Sequence, residues 1–438
     1  MNKQCSILTL ALFAAGFFCA IPTEFSNRSA AKFTVGMVIP PRFILAGSAA
    51  QVKVGADLLL EKYFSLVEGK RLGLVTNHSA MLSNGKHLAD ALFEDKRTNL
   101  VVLFGPEHGI RGDAPAGARV QDGTDAKTGL PAYSLYGRIN KPTPEMLKDV
   151  DVLLFDIQDV GARFYTFEST LSLAMEGAAE AKIPYIVLDR PNPIRGTWVE
   201  GFVREDSLKS FVGLNPTPIA HGLTMGELAT LINGERWLKN GVVAQLTVVK
   251  MEGWKRSMYY DETGLDWVRP SPNIKTPTTA IVYPGTCFFE GTNVAEGRGT
   301  DKPFEYIGAP FIDGKKLAEA LNQQNLSGVT FEPIEFTPKE IPNVVTNPKY
   351  KELKCGGVFV NATDRSKYEP VKTAVFMLAA IKALYPKDFQ WRGSINRLAG
   401  TARLRLAIDA GNNAQEICRM WQGEVEQFKK MREKYLLY

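Results

Sequence analysis

Apolar positions along this chain fall into short blocks that alternate between two periods, one helical and one extended. Over residues 56–66, Leu58, Leu59, Leu60, Tyr63 and Phe64 gather near one face of a helix. A compact apolar run over 71–76 then reads as a buried strand, and residues 87–93 as a helix. The pattern repeats as a strand over 100–104, a short helix over 145–150, a strand over 151–155, a helix over 169–182 and a strand over 184–188. Thr224 and Glu227 have capping-box spacing and open a helix predicted to run to 239, followed by a strand over 244–250. Strands alternating with helices at this spacing predict an α/β fold, with a parallel sheet covered by helices on both faces.

From 253 to 284 the periodicity breaks up among four prolines, which predicts a long connection towards a second domain. Helices are predicted again at 315–323, 371–385 and 414–438. The 438 residues exceed one simple core, so the expected division is a poorly defined segment over 1–50, a catalytic domain over 51–283 and a C-terminal domain over 284–438.

The first twenty residues stand apart. Lys3 precedes an apolar run from Ile7 to Ile21, the form of a secretory signal and short for a membrane span. Export to the periplasm or the exterior is expected, with no membrane insertion after cleavage. Of the net charge of +5, +3 falls in residues 1–50, where Lys3, Arg28, Lys32 and Arg42 stand against Glu24. The remainder is close to neutral and gives no reason to expect nucleic acid as a partner. Cys287, Cys355 and Cys418 lie beyond this segment with neither framework nor CxxC spacing, and are expected as buried small hydrophobes.

Ligands of open α/β sheets sit outside the carboxyl ends of the strands. Four successive predicted strand ends carry polar groups there: Asn77 with His78, Glu107 with His108, Asp156 with Gln158 and Asp159, and Asp189 with Arg190 and Asn192. The second of these, residues 104–112, turns abruptly from apolar to glycine-rich around a carboxylate, an imidazole and Arg111. A nucleotide loop is disfavoured, because the glycine spacing is G-x-x-x-G-x-x-G and a central carboxylate would repel phosphate. A metal centre would need Asp113 or Asp156 to complete it, since Glu107 and His108, as neighbours on an extended segment, point to opposite sides. No G-x-S-x-G elbow supports a serine nucleophile.

Carboxylate chemistry remains. Glycoside hydrolysis needs a carboxyl that protonates the leaving oxygen and a second group opposite it. Glu107 suits the first role. Asp156, Asp159, Asp189, Glu290 and Glu296 are candidates for the second, although Asp189 and Glu296 each adjoin an arginine that would pair with them. Arg111, Arg163, Arg190 and Arg298 lie in the same loops and suit an anionic substrate. Tyr165, Phe164, Tyr283 and Phe288 offer rings to stack on sugars, and Asn293 lies in the glycine-rich block with Glu290.

Five blocks carry a family resemblance: FGPEHGIRG at 104–112, DIQDVGARFYT at 156–166, LDRPNP at 188–193, PSPN at 270–273 and YPGTCFFEGTNVAEGRGT at 283–300. Together they resemble the NamZ-type exo-β-N-acetylmuramidases, from about Val54 to the C-terminus. The resemblance implies a Rossmann-like domain followed by a smaller α+β C-terminal domain, with the cleft between them. It implies release of N-acetylmuramic acid from the non-reducing end of peptidoglycan fragments, with Glu107 catalytic and His108 its helper. Peptidoglycan-derived saccharides are then the expected partners, and neither cofactor nor metal is expected. The lactyl carboxylate of muramic acid would account for the arginines. Two other readings stay open at this stage, a non-catalytic wall-sugar binder and a metal-dependent hydrolase.

Overall fold

The computed structural model describes residues 51–112, 117 and 121–438. The expected signal segment and Asp113 lie outside the described residues. The chain opens with α1 (Gly55–Glu61), β1 (Arg71–Thr76), α2 (Leu88–Glu94) and β2 (Asn99–Gly105). Two short strands, β3 (Gly123–Thr124) and β4 (Pro131–Ser134), precede α3 (Pro144–Leu147) and β5 (Val152–Asp156). Then come α4 (Phe167–Ala181), β6 (Tyr185–Leu188), α5 (Met225–Gly234) and β7 (Leu246–Val249).

These strands form one seven-stranded sheet in the order β3-β4-β2-β1-β5-β6-β7, parallel throughout except for the β3–β4 edge. Side chains alternate between its faces as strand geometry requires. Leu72, Leu74, Leu103, Val152, Leu154 and Ile186 pack under α1 and α2, while Val75, Phe104, Leu153, Phe155 and Val187 pack on the other side with Leu171 and Met175 of α4 and Leu228 of α5. Both faces are dry, which is why the strands read as continuous apolar runs. β3 and β4 have no such run, because they lie at the sheet edge in a polar stretch.

The prolines after 253 do not prevent a helix. Thr276 caps α6 (Pro277–Thr286) by accepting from the Thr279 N–H at 3.1 Å, and Pro277 occupies the first turn, where a missing N–H costs nothing. This helix runs across the division expected at residue 283. The C-terminal part adds a second, antiparallel sheet, β8 (Tyr306–Ala309), β9 (Val329–Phe336) and β10 (Cys355–Ala362) in the order β8-β10-β9. α7 (Gly314–Asn322) packs on β9 and β10, and α8 (Pro370–Leu384) packs on α6. The predicted terminal helix is broken into α11 (Ala414–Arg419) and α12 (Gln422–Arg432), after the short α9 (Ile395–Ala399) and α10 (Arg403–Asp409). Cys287, Cys355 and Cys418 are buried free thiols. Among the described residues no helix is long and apolar enough to cross a membrane.

One cluster of buried side chains runs from Phe104 and Phe155 of the large sheet through Tyr283 and Phe288 to Val358 and Leu378 of the C-terminal part. The C-terminal residue also returns to the first sheet. Asp189, at the end of β6, is fully buried and accepts hydrogen bonds from the Thr224 hydroxyl, the Gly226 N–H and the Tyr438 hydroxyl, each at 2.7 Å. Tyr438 in turn accepts from the Met251 N–H at 2.8 Å. Asp189 therefore serves the N-terminus of α5, where a carboxylate complements the unpaired amides. Tyr438→Phe removes a donor from this buried carboxylate and leaves the ring packed. We expect it to lower stability by roughly 1–3 kcal/mol, read as a lower urea midpoint with an unchanged denaturant slope.

Candidate active site

The loop after β2 is turned so that Glu107 faces outward while its neighbours anchor it. The Gly109 N–H donates to the Pro106 carbonyl at 3.0 Å, closing a tight turn. His108 and Gly109 both take left-handed φ values, 74° and 76°. That conformation is uncommon for a side-chain-bearing residue, although histidine is among the types that tolerate it. His108 and Ile110 are buried and pin the turn, leaving the half-exposed Glu107 directed into a cavity. Its two oxygens are separately held. Oε1 accepts from the Gly117 N–H at 2.8 Å, and Oε2 from the Thr166 hydroxyl at 2.9 Å. Thr166 immediately precedes α4, yet its hydroxyl does not cap that helix and is directed to Glu107 instead. The Tyr136 phenol, just beyond β4, faces the same carboxylate. Burial, then the charge of Glu107, pushes its ionisation well above the ordinary tyrosine range.

The opposite wall comes from α6 and the loop beyond it. Arg298 donates to Glu290 Oε1 from Nη2 at 2.7 Å and from Nε at 3.2 Å. Arg298 Nε also lies 3.5 Å from Glu296, which pairs with Lys349 at 2.9 Å. Burial alone would lower the Arg298 guanidinium, and the Glu290 and Glu296 charges more than reverse this. Between the two walls the rings of Phe164, Tyr165 and Tyr283 meet edge to face, at 5.3 Å for Phe164–Tyr283 and 5.8 Å for Tyr165–Tyr283. Val344, Val345, Thr346 and Asn347 supply a third side. The cavity is about 560 Å³, within the usual range for a small-molecule site.

Models of the exo-β-N-acetylmuramidase NamZ N-terminal and C-terminal domains match residues 72–278 and 281–438. The chain belongs to the NamZ family. It is 49% identical over 390 residues to the peptidoglycan β-N-acetylmuramidase NamZ of Bacillus subtilis, covering 89% of this chain and 92% of that protein. Two crystal structures of DUF1343-family proteins from Bacteroides fragilis share the fold. One gives a TM-score of 0.82 at 39% identity and the other 0.72 at 34%, each alignment covering 89% of this chain and 99% of the other.

In this NamZ-family chain, Glu107, His108, Tyr165, Glu290 and Arg298 come together around one cavity. The other residues expected at the site lie elsewhere, each with a bonding role of its own. Arg111 is bound to Asp125 through two 2.8 Å contacts and to Asp90 at 2.9 Å, and its bonds hold the Asp125 carboxyl well below its ordinary range. Arg163 is fully buried and donates to the carbonyls of Phe202, Thr217 and Leu398. Arg190 and Asp156 form a buried ion pair, with one contact of 2.9 Å. Arg298 is thus the single arginine of the four to reach the cavity, and the explanation of all four by an anionic substrate is corrected accordingly.

Asn77, Gln158, Asn192 and Asn293 bind backbone. Asn77 accepts from the Ser79 N–H at 3.0 Å, Gln158 donates to the carbonyls of Asp159 and Pro191 at 2.8 Å, and Asn293 donates to the Asp388 carbonyl at 2.8 Å. Asn192 donates to the Leu223 carbonyl at 2.9 Å and packs on Gly161, where an added Cβ would lie 2.5 Å from its Oδ1. Buried loop backbone demands such partners. Tyr136, Thr166, Ser271 and residues 344–347 also line the cavity, and sequence reasoning passed them over. Thr166 and Ser271 lie inside two of the motif blocks, so a signal for them existed; Tyr136 follows an edge strand with no pattern to mark it.

Behind the Tyr165–Thr166 wall lies a buried cluster. His221 Nδ1 accepts from the Leu223 N–H at 3.1 Å, so its Nε2 bears the proton and faces Glu168 Oε1 at 3.2 Å. Asp159 accepts from the Gly161 N–H at 2.7 Å, and burial, then the charge of Glu168, pushes its carboxyl up to about 7. An unfolded aspartate titrates at about 3.9. Between those values the folded chain binds the extra proton, so Asp159 makes stability fall as pH rises from about 4 to about 7, with no further change above that window. Asp159→Asn keeps the acceptor for Gly161 and removes the titration. Unfolding free energies from urea titrations at pH 4.5 and 7.5 should therefore differ less in the variant than in the parent, by roughly 1–3 kcal/mol.

Proposed function

We propose that this chain is an exo-acting glycosidase that releases N-acetylmuramic acid from the non-reducing end of peptidoglycan fragments, with Glu107 as general acid and base. The observation that carries the reading is a carboxylate fixed through both oxygens, by Gly117 and Thr166, and facing the same cavity as the Glu290–Arg298 pair. Two carboxylates across one cleft are the requirement of glycoside hydrolysis. Of the five carboxylates first considered as partner to Glu107, Glu290 is the one that lines the cavity.

In this mechanism Glu107 delivers its proton to the glycosidic oxygen as that bond lengthens, then takes a proton from the incoming water. Its hydrogen bonds hold the carboxyl in one orientation before substrate arrives, so less ordering remains to be done in the transition state. Glu290 lies on the far wall, where a carboxylate opposes the positive charge that develops at the anomeric carbon, or steers the substrate acetamide towards it. Arg298 keeps Glu290 in place and is the cation nearest to hand for the lactyl carboxylate. The edges and faces of Tyr165 and Tyr283 are suited to the apolar surface of a sugar ring. The substrate assignment is supported by the Bacillus relative, and export by the Lys3-led apolar run.

Glu107→Gln tests the central assignment, because it preserves shape and removes the transferable proton. With a chromogenic β-muramide, we expect kcat to fall about 100- to 10,000-fold while the affinity for muramic acid changes little. Turnover near the parent rate in that variant would sink the acid–base role. Loss of binding without a specific loss of kcat would instead assign Glu107 to ligand recognition.

A further inference from the structure

β9 and β10 are antiparallel neighbours whose last and first residues, Phe336 and Cys355, are paired. A turn of two to five residues commonly joins such strands. Here the connection is residues 337–354, long enough that a functional reason is to be sought. This strap does not follow its own sheet. The Lys339 N–H donates to the Gly299 carbonyl at 2.9 Å, and the strap closes on itself where Glu352 N–H meets the Pro338 carbonyl at 2.8 Å. Gly299 has a left-handed φ of 82°, and a Cβ there would lie 2.4 Å from the Lys339 carbonyl, so this crossing needs glycine. Near the far end Lys349, with a side chain 10% exposed, donates to the carbonyls of Phe289 at 2.6 Å and Val294 at 2.9 Å, and pairs with Glu296 at 2.9 Å. Ile341 and Val345 exchange two backbone hydrogen bonds of 3.0 Å, which stiffen the tip. That tip, Val344 to Asn347, is the third side of the cavity.

With two walls alone, the Glu107 side and the Glu290 side would flank a groove through which a sugar chain could pass. The strap tip adds a further side to that space, and the cavity so lined is sized for a small molecule. We propose that the strap of residues 337–354 determines where on a chain this enzyme acts, by ending the cleft just beyond the terminal sugar and so excluding internal muramic acid residues. The inference rests on the function proposed above. It deepens that function by assigning end-selectivity to a named segment and leaving bond cleavage to Glu107.

The test compares two chains of alternating amino sugars. One ends in muramic acid at its non-reducing end, and the other is capped there by one further N-acetylglucosamine. For each enzyme the measured quantity is the ratio of kcat/KM on the capped chain to that on the uncapped chain, which is independent of how active a variant is overall. The parent should act on the uncapped chain and leave the capped one nearly untouched. Replacing residues 340–351 by Asn-Gly should raise the ratio at least about tenfold, and Val345→Gly with Thr346→Gly, which opens the tip and keeps the anchors, should raise it about threefold. A folded variant of either kind with the parent ratio overturns the proposal. A parent enzyme inactive on the uncapped chain would instead overturn the function on which it rests, and the two failures are told apart by that single control.

Discussion

The carboxyl edge of the large sheet depends on one buried ion pair, Asp156 with Arg190. Its two members end β5 and introduce the loop after β6, and Arg190 also donates to the Met81 carbonyl at 3.0 Å, tying in the segment after β1. Removing one partner of such a pair leaves an uncompensated buried charge and costs about 3–5 kcal/mol. The pair sits where the order of the sheet reverses, since β1 lies between β2 and β5. Open α/β sheets bind ligands in that crevice. Here the crevice is filled by the ion pair and by the Asn77–Ser79–Gln158 hydrogen bonds, and a cavity of about 100 Å³ remains beside them. The larger cavity lies to one side, over the ends of β2 and β4 and the start of α4.

That displacement explains what could be read from the residues in advance. The buried strands were legible because both faces of the sheet are covered, which makes each strand a continuous apolar run. Glu107 was legible because such a run breaks into a glycine-rich loop with a carboxylate at its centre. Its position in the site was not separable, by the same logic, from those of Asp156, Asp189 and Asn77, which also follow buried strands. A polar group at a strand end either meets ligand or satisfies its neighbours, and the choice depends on partners distant in sequence: Arg190 for Asp156, and Tyr438 for Asp189. Arginines posed the same difficulty. Arg163 looked like a substrate ligand and proves to be a clamp on three carbonyls.

What could not be read has a different origin. β3 and β4 pair at the polar edge and need no apolar alternation, so nothing marked Tyr136 as following a strand. α6 was obscured by Pro277 and Pro284, although the first occupies the one helical turn that tolerates proline freely. The strap has neither period, because its geometry is imposed by Gly299, Lys349 and Glu296 and not by its own propensities.

Those last residues bring the strap and the cleft into one electrostatic unit. Glu290, Arg298, Glu296 and Lys349 alternate in sign from the cavity wall to the strap, through contacts of 2.7, 3.5 and 2.9 Å. The four charges sum to zero, and most of their surface is withdrawn from water, so each relies on its neighbours for compensation. Burial pushes the Lys349 ammonium below its ordinary range, and Glu296 is the charge that opposes this. Loss of Lys349 would therefore do more than release the strap. It would leave Arg298 as the one cation of the row, compensating both Glu290 and Glu296. The wall that shapes the pocket and the carboxylate that faces the cavity from the other side of Arg298 are set by the same row of ions, and neither can move without disturbing the other.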